Sequence, residues 1–350
     1  MQRKTKARNV LISRFSALGD VAMTLPSVYD ACTASPDTRF YLLTRHHPAG
    51  LFINAPENLT VVGVDPDNYK GVAGLWRLAA SLRRRYGIDL VVDLHDVLRT
   101  KLLRIFMNLR GVPSHHINKG RGAKKALTRR RNKMLVQLTR TTDRYADTFR
   151  RAGLPLSGTF RSLYGDGKGP VEAFAEVTAP RREGERWIAI APFAKHKGKM
   201  YPIEHIEKVV EHFDRQPGVK IFIFGFGDSE REQIARFAEK YKSVMNMAEH
   251  KIGFAGELSL LSHCDVMLSM DSANMHLASL VGLRCVSVWG ATHPYTGFLG
   301  WHQDIADTVQ LDMVCRPCSV FGDKPCSRGD YYCLRGISPR TVIHKLEQTE

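Results

Sequence analysis

No stretch of this 350-residue sequence approaches the roughly 18 consecutive apolar residues of a membrane-spanning helix. The longest apolar runs, such as residues 286–289 and their neighbours, fall far short. The basic start, Met1-Gln-Arg-Lys-Thr-Lys6, runs into a strand-like segment with no apolar signal core and no small-residue cleavage site. That pattern predicts a cytoplasmic protein. Both a G-x-G-x-x-G fingerprint after the first strand and a G-x-x-x-x-G-K-[ST] loop are missing, which argues against a dinucleotide dehydrogenase and a P-loop NTPase. Neither short repeats nor low-complexity segments occur. Acidic residues are absent locally: residues 97–142 contain no Asp or Glu but 13 Lys or Arg, among them Lys124, Lys125, Arg129, Arg130, Arg131 and Lys133.

What is present is a globular composition, 43% hydrophobic and 25% charged, of a length that suits two domains. The net charge is +16. The acid-free stretch reads either as a solvated basic helix or as a surface for an anionic partner: lipid headgroups, a phosphorylated acceptor or nucleic acid. Of seven cysteines, Cys32, Cys264 and Cys285 sit singly in apolar surroundings and read as core residues.

Strand and helix signals alternate twice, and such alternation predicts parallel sheets covered on both faces. In the first half, residues 9–15, 39–43, 59–64 and 89–93 read as strands, with a helix over 20–31. In the second, residues 187–191, 220–224, 265–269 and 285–289 read as strands. Helices are expected over 202–214, with Pro202 in the first turn, over 229–240, with a capping box from Ser229 and Glu232, and over 273–281 and 339–348. The expected organisation is a first domain over 1–160, a Gly-rich linker over 161–185, a second domain over 186–335 and a final helix over 336–350. Ligands of doubly wound sheets bind beyond the carboxyl ends of the strands, so those loops are where the chemistry is sought.

The loop after the first strand reads Arg14-Phe-Ser-Ala-Leu-Gly-Asp20. Gly19 permits a tight turn. Asp20 is then a helix N-cap, or a carboxylate facing a cleft and able to accept a proton from an attacking hydroxyl. No second carboxylate obviously pairs with it, which disfavours a glycosidase. In the second half, residues 192–202 carry Lys195, His196, Lys197 and Lys199 just before a helix, a solvated basic loop or a diphosphate site. Glu230 follows the Gly225–Gly227 turn and is either an ordinary helix-start residue or a ribose acceptor. Asp271 and Ser272 close a strand at the start of a helix that carries His276, an arrangement suited to phosphate. Residues 290–294 form a further loop at a strand end.

Read together, VLISRFSALGDVAMTLPSV, DLVVDLHDVLRTKLL, KGKMYPIEHI, FGFGDSERE, FAGELSLLSHCDVMLSMDSANMHLASLVG and VWGATHP resemble glycosyltransferase family 9, the ADP-heptose:lipopolysaccharide heptosyltransferases. The pieces occur in the family's order and span nearly the whole chain. The resemblance implies an α/β fold of GT-B type: two Rossmann-like domains whose parallel sheets face a central cleft. It implies an inverting, metal-independent transfer of heptose from ADP-heptose or another nucleotide-sugar, with no cofactor required. Asp20 matches the catalytic aspartate, Lys199 a lysine on the donor phosphate, Glu230 a glutamate on the adenosine ribose, and Asp271, Ser272 and His276 the donor-binding D-[ST]-G-x-x-H motif. Ala273 replaces that motif's Gly, and its methyl narrows the approach of backbone to phosphate. Ser16, Gly19 and Arg99 fall at the acceptor side.

The acceptor so implied is an anionic glycolipid, lipid A with its inner core. The acid-free stretch, placed in the first domain, would face it on the inner surface of the cytoplasmic membrane, with the protein peripheral and monomeric. Cys315, Cys318, Cys326 and Cys333 form either a structural zinc site or free structural thiols. Two rival readings remain. A nucleotide-sugar epimerase of related fold needs no acceptor. A basic nucleic-acid-binding protein is disfavoured because no binding module appears and the basic residues lack interleaved aromatics.

Overall fold

The structure is a computed structural model that describes residues 8–348. In chain order it begins β1 (Asn9–Ser13), α1 (Leu18–Ala22), α2 (Leu25–Ala34), β2 (Arg39–Arg45), α3 (His46–Ala49), β3 (Leu59–Val64), α4 (Gly71–Tyr86), β4 (Leu90–Asp93), α5 (Leu98–Asn108) and β5 (Ser114–His116). Two helices follow, α6 (Arg121–Thr128) and α7 (Thr141–Arg151). The second series is β6 (Arg186–Ala191), α8 (Ile203–Asp214), β7 (Val219–Ile223), α9 (Asp228–Lys240), β8 (Val244–Asn246), α10 (Gly253–His263), β9 (Val266–Met270), α11 (Ala273–Leu280), β10 (Cys285–Trp289) and β11 (Thr308–Gln310). It ends with α12 (Tyr332–Arg335) and α13 (Pro339–Glu347).

The strands form two wholly parallel sheets, β3-β2-β1-β4-β5 and β11-β10-β9-β6-β7-β8. Their central strands have no polar face. Every residue of β9 and β10 is buried, as is all of β4. Helices on both sides of a parallel sheet explain these continuous apolar runs. In the first sheet, α4 and α5 bury Leu75, Leu78, Leu82, Leu103 and Phe106 against Leu11, Leu43 and Val91.

The chain forms two compact units. One comprises the residues up to Lys119 together with Thr141–Leu163; the other comprises Gly120–Arg140 and the chain from Tyr164 onward. The segment 120–140, expected in the first domain, therefore belongs with the second. Specific bonds hold it there: Lys133 Nζ donates to the Val314 and Cys315 carbonyls, Leu138 N–H donates to Tyr295 O at 3.0 Å, and the Lys124 ammonium lies 4.1 Å from the Phe298 ring centroid.

Several local expectations change. The helix over 20–31 is two helices, because Pro26, near the start of α2, lacks an N–H and its ring would meet the carbonyl one turn earlier. Pro202 is the N-cap of α8 rather than a first-turn residue. The Ser229–Glu232 capping box does not form: α9 begins at Asp228 behind Gly227 (φ 91°), and Glu232 pairs with Arg236 instead. Within the expected linker, residues 161–185, the chain passes from one unit to the other at Leu163/Tyr164, and the rest packs in the second unit. The Gly169 N–H donates to Ser262 Oγ at 2.8 Å, and a short 3₁₀ turn, Val171–Phe174, buries Phe174 edge-on against Trp187. Phe174→Ala should therefore cost about 3–5 kcal/mol of stability. A thermal unfolding curve checks this, and a shift no larger than that of an exposed-site control would return the segment to linker status.

Candidate functional site

In the first unit the polar residues gather at the carboxyl ends of β1 and β4. Ser13 Oγ donates to Asp93 Oδ1 at 3.0 Å, and the backbone N–H groups of His95 and Asp96 donate to the same oxygen at 2.9 and 3.1 Å. The Arg104 guanidinium bridges Asp93 and Asp96, 3.0 Å from each. Next to this knot, Arg14 is buried. Its Nη1 donates to Leu94 O at 2.8 Å, and its Nη2 lies 2.6 Å from Asp20 Oδ2. Burial alone would lower the Arg14 pKa, but Tyr145, Asp20 and Asp93 more than offset it, and the group is held in its charged form.

Asp20 is not an N-cap. It stands third in α1, where its carboxylate accepts the Ala17 N–H at 3.3 Å. Its backbone carbonyl accepts from the Tyr145 hydroxyl at 3.3 Å, and its side chain keeps 28% of its exposure. The result is an acceptor-only carboxylate, oriented from behind by a fixed cation and open in front. Gly19 is buried beside it, and Ser16 is half-buried. Arg99, also half-buried, is the second residue of α5, which starts just beyond β4. His95 is buried and receives the Phe15 N–H on Nδ1 at 3.4 Å. Burial first, then the charges of Arg14 and Lys119, push its pKa down to about 3. It is neutral at ordinary pH.

In the second unit, Lys199 ends a 3₁₀ turn, Lys197–Lys199, and its Nζ lies 2.8 Å from Oδ2 of buried Asp271. Three close approaches shape this loop. The Ala291 N–H donates to Gly198 O at 2.8 Å. A Cβ on Gly198 would fall 2.8 Å from both the Ala291 methyl and Gly322 O. Gly322, at φ +75°, leaves room for the Lys199 stem; a Cβ there would lie 2.7 Å from its Cγ. Ser272 is the extended N-cap of α11, with its Oγ 3.3 Å from Ser269 Oγ, Ala273 is the first helical residue, and His276 is buried one turn on. The sequence expectations Lys199, Asp271, Ser272 and His276 thus share the region around the carboxyl end of β9. Glu230 sits beyond β7, where its carboxylate accepts the Phe226 N–H at 2.7 Å.

Residues missed from the sequence include Arg14, Gly322 and Arg316. The buried Arg316 donates to the carbonyls of Trp289, Gly290, Leu311 and Thr292 and to Gln310 Oε1. It thereby pins the loop after β10. A lone arginine far from the motifs gives no sequence signal of this.

The seven cysteines are free thiols, with Cys32, Cys264 and Cys285 buried as expected. Of the late four, burial raises Cys318 and takes Cys333 to about 11. Burial would also raise Cys326, but the N–H groups of Tyr331, Arg328 and Gly329 outweigh it and lower that thiol. Cys318 Sγ is turned to the Ala291 carbonyl, 3.7 Å away. Among the described residues no three His, Cys, Asp or Glu side chains converge as metal ligands. The four late thiols nevertheless lie near enough to act on one another: beyond burial, Cys318, Cys315 and Cys326 all raise Cys333.

Two units, each a wholly parallel sheet covered by helices, make an α/β build of GT-B type. The chain belongs to glycosyltransferase family 9 (heptosyltransferase), whose model matches residues 75–324. It is similar to lipooligosaccharide heptosyltransferase 2 of Campylobacter jejuni, 23% identical over 94% of each chain. Among solved structures it is similar to a family 9 glycosyl transferase from Veillonella parvula, TM-score 0.72 at 17% identity over 98% of this chain and 97% of that one. It also resembles Escherichia coli heptosyltransferase WaaC solved with ADP-2-deoxy-2-fluoro heptose, TM-score 0.63 at 18% identity, over 90% of this chain and 97% of that one. The family match tells against the epimerase and nucleic-acid readings.

The depressed pKa of His95 ties stability to pH. A histidine held neutral in the fold, about 3 against an ordinary 6.5, stabilises fully above pH 6.5 and loses that contribution as pH falls toward 3. His293, lowered to about 4 by burial and by Arg316, acts in the same direction. The urea midpoint should fall on going from pH 7 to pH 4, and less steeply in His95→Asn. Equal slopes for the two proteins would show that His95 is not a source.

Proposed function

We propose that the protein transfers heptose from ADP-heptose to an anionic lipopolysaccharide-core acceptor, with inversion at the anomeric carbon and with no metal in the chemical step. The observation that carries this reading is Asp20: a partly open carboxylate whose rear oxygen is fixed by a buried arginine, in a chain of this family. The WaaC structure with an ADP-heptose analogue and the lipooligosaccharide heptosyltransferase relative support the choice of donor and acceptor.

In this reading Asp20 takes the proton of the acceptor hydroxyl as that oxygen bonds to the anomeric carbon. The bond from that carbon to the diphosphate oxygen breaks on the opposite face, and ADP departs. Lys199 and the N–H groups at the start of α11, beside Ser272 and His276, stabilise the charge gathering on the diphosphate. The Lys199–Asp271 pair holds the ammonium in place until phosphate arrives. Glu230 receives the ribose hydroxyls. Ser16, Gly19 and Arg99 shape the acceptor side, and Arg99 meets its anionic groups. The protein acts as a peripheral monomer on the inner face of the cytoplasmic membrane. The late cysteines enter as structural thiols.

Asp20→Asn keeps the size of the side chain and removes its basicity. Turnover should fall on the order of 10²–10⁴-fold with the thermal midpoint nearly kept. Near-normal turnover with an intact fold would rule out the base. In a thermal-shift panel of nucleotides and nucleotide-sugars, ADP and ADP-sugars should stabilise the protein most; a preference for uridine or guanosine donors would remove the ADP-heptose assignment. Gly322→Val, which crowds the Lys199 stem, should weaken the ADP shift at least tenfold in apparent affinity. Unchanged ADP binding in a folded variant would take Lys199 off the phosphate.

A further inference from the structure

The inner faces of α4 and α5 supply the core of the first sheet, yet their outer faces are apolar too. On α5, Leu98, Ile105 and, at its C-cap, Leu109 fall on one side of the helix, with half-buried Leu102 between them packed inward against the core. Leu98, Ile105 and Leu109 are 75%, 49% and 71% exposed. On α4, Val72 and Trp76 are 63% and 45% exposed. Trp76 joins the two helices: its ring meets Phe106 edge-on at 5.3 Å, and the Arg110 guanidinium lies 3.6 Å over its face. Scattered exposed apolar residues need no explanation, but a contiguous face does.

The charges within the two helices have one sign, although Asp67 stands just before α4 and Asp96 pairs with Lys101 and Arg104 at the start of α5. Neither helix contains an Asp or Glu, while α4 carries Arg77, Arg83, Arg84 and Arg85 and α5 carries Arg99, Lys101 and Arg104. Arg83 continues the outer row of α4 that Val72 and Trp76 begin, and it is exposed along with Arg84 and Arg85. A second copy of this chain would bring the same helix cations against themselves, with no carboxylate on either helix to answer them. An anionic lipid surface answers both features at once: acyl chains take the leucines and tryptophan, and headgroup phosphates take the arginines.

We propose that the outer face of α4 and α5 is the membrane-docking surface of the protein, binding anionic bilayers through Val72, Trp76, Leu98, Ile105 and Leu109 with Arg83 and Arg84. This deepens the glycolipid-acceptor reading and rests on it for its purpose. Leu98 opens α5 at the carboxyl end of β4, the same sheet end that carries Arg14 and Asp20.

The test is sedimentation of the full chain with vesicles of phosphatidylcholine alone or with 30% phosphatidylglycerol, about 0.1 M salt, with no acceptor present. The expected result is binding to the anionic vesicles only, reduced about tenfold or more both in Ile105→Gln/Leu109→Gln and in Arg83→Gln/Arg84→Gln. Both variants should keep the wild-type thermal shift with ADP, which shows they are folded, and wild-type turnover on detergent-dispersed acceptor. Vesicle binding that is absent, indifferent to lipid charge, or unchanged in the folded variants overturns the proposal. So does a concentration-dependent dimer in light scattering that the same substitutions abolish. Turnover on the dispersed acceptor reports separately on the transferase reading, so the failure of one is not mistaken for the failure of the other.

Discussion

A guanidinium that cannot shed its proton, buried at the carboxyl ends of two adjacent inner strands, governs the first unit. Arg14 must find acceptors in place or the fold leaves a charge uncompensated, which costs several kcal/mol. The acceptors it finds are the Leu94 carbonyl at the end of β4 and the Asp20 carboxylate in α1, with the Tyr145 ring of α7 about 5.9 Å away. One side chain thus ties the ends of two neighbouring strands to the helix that presents the carboxylate. The consequence is chemical as well as structural. For the base proposed above, the ion pair and the Ala17 N–H both hold Oδ2, which leaves Oδ1 as the oxygen to take a proton.

The second unit solves the same problem twice. Lys199 is pinned by buried Asp271, and the loop after β10 by Arg316. These solutions differ in what they leave free. Arg316 spends its donors on main-chain carbonyls and one amide, so it serves the fold. Lys199 meets a single carboxylate, and its stem lies in a slot kept open by Gly322. An ammonium so placed is available to an incoming phosphate without a large rearrangement.

The parallel sheets were legible because central strands of such sheets must be apolar on both faces, and runs such as WIAIA and VMLSM show it directly. The loop residues Asp20, Lys199, Asp271, Ser272 and His276 were legible because doubly wound sheets put ligands at the carboxyl ends of strands. Their partners were not. Arg14 and Asp20 are near in sequence, but their pairing depends on α1 turning the carboxylate back, which local propensity does not decide. The break after Ala22 and the true start of α9 turn on Pro26 and on the positive φ of Gly227, small effects beside the helical periodicity around them. In the 161–185 segment the sequence does not show why glycine is needed: Gly169 lets the chain press against Ser259, whose Oγ lies 2.4 Å from where a Cβ would stand.

The longest error of reading concerns charge. Residues 97–142 are one acid-free run in the sequence, and a run invites the idea of one surface. Folding divides it. Its first part builds α5 and belongs to the unit of the first sheet, while residues 120–140 are stitched to the second unit by Lys133, Leu138 and Lys124. Screening limits exposed charges to interactions within about 10 Å at ordinary salt, so what acts as a patch is decided by neighbours in space. For α5 those neighbours are on α4, which lacks acids as well, although residues 70–88 lie outside the run that first drew notice. The basic apolar face is therefore assembled from two separate sequence segments, and neither segment read alone would define it.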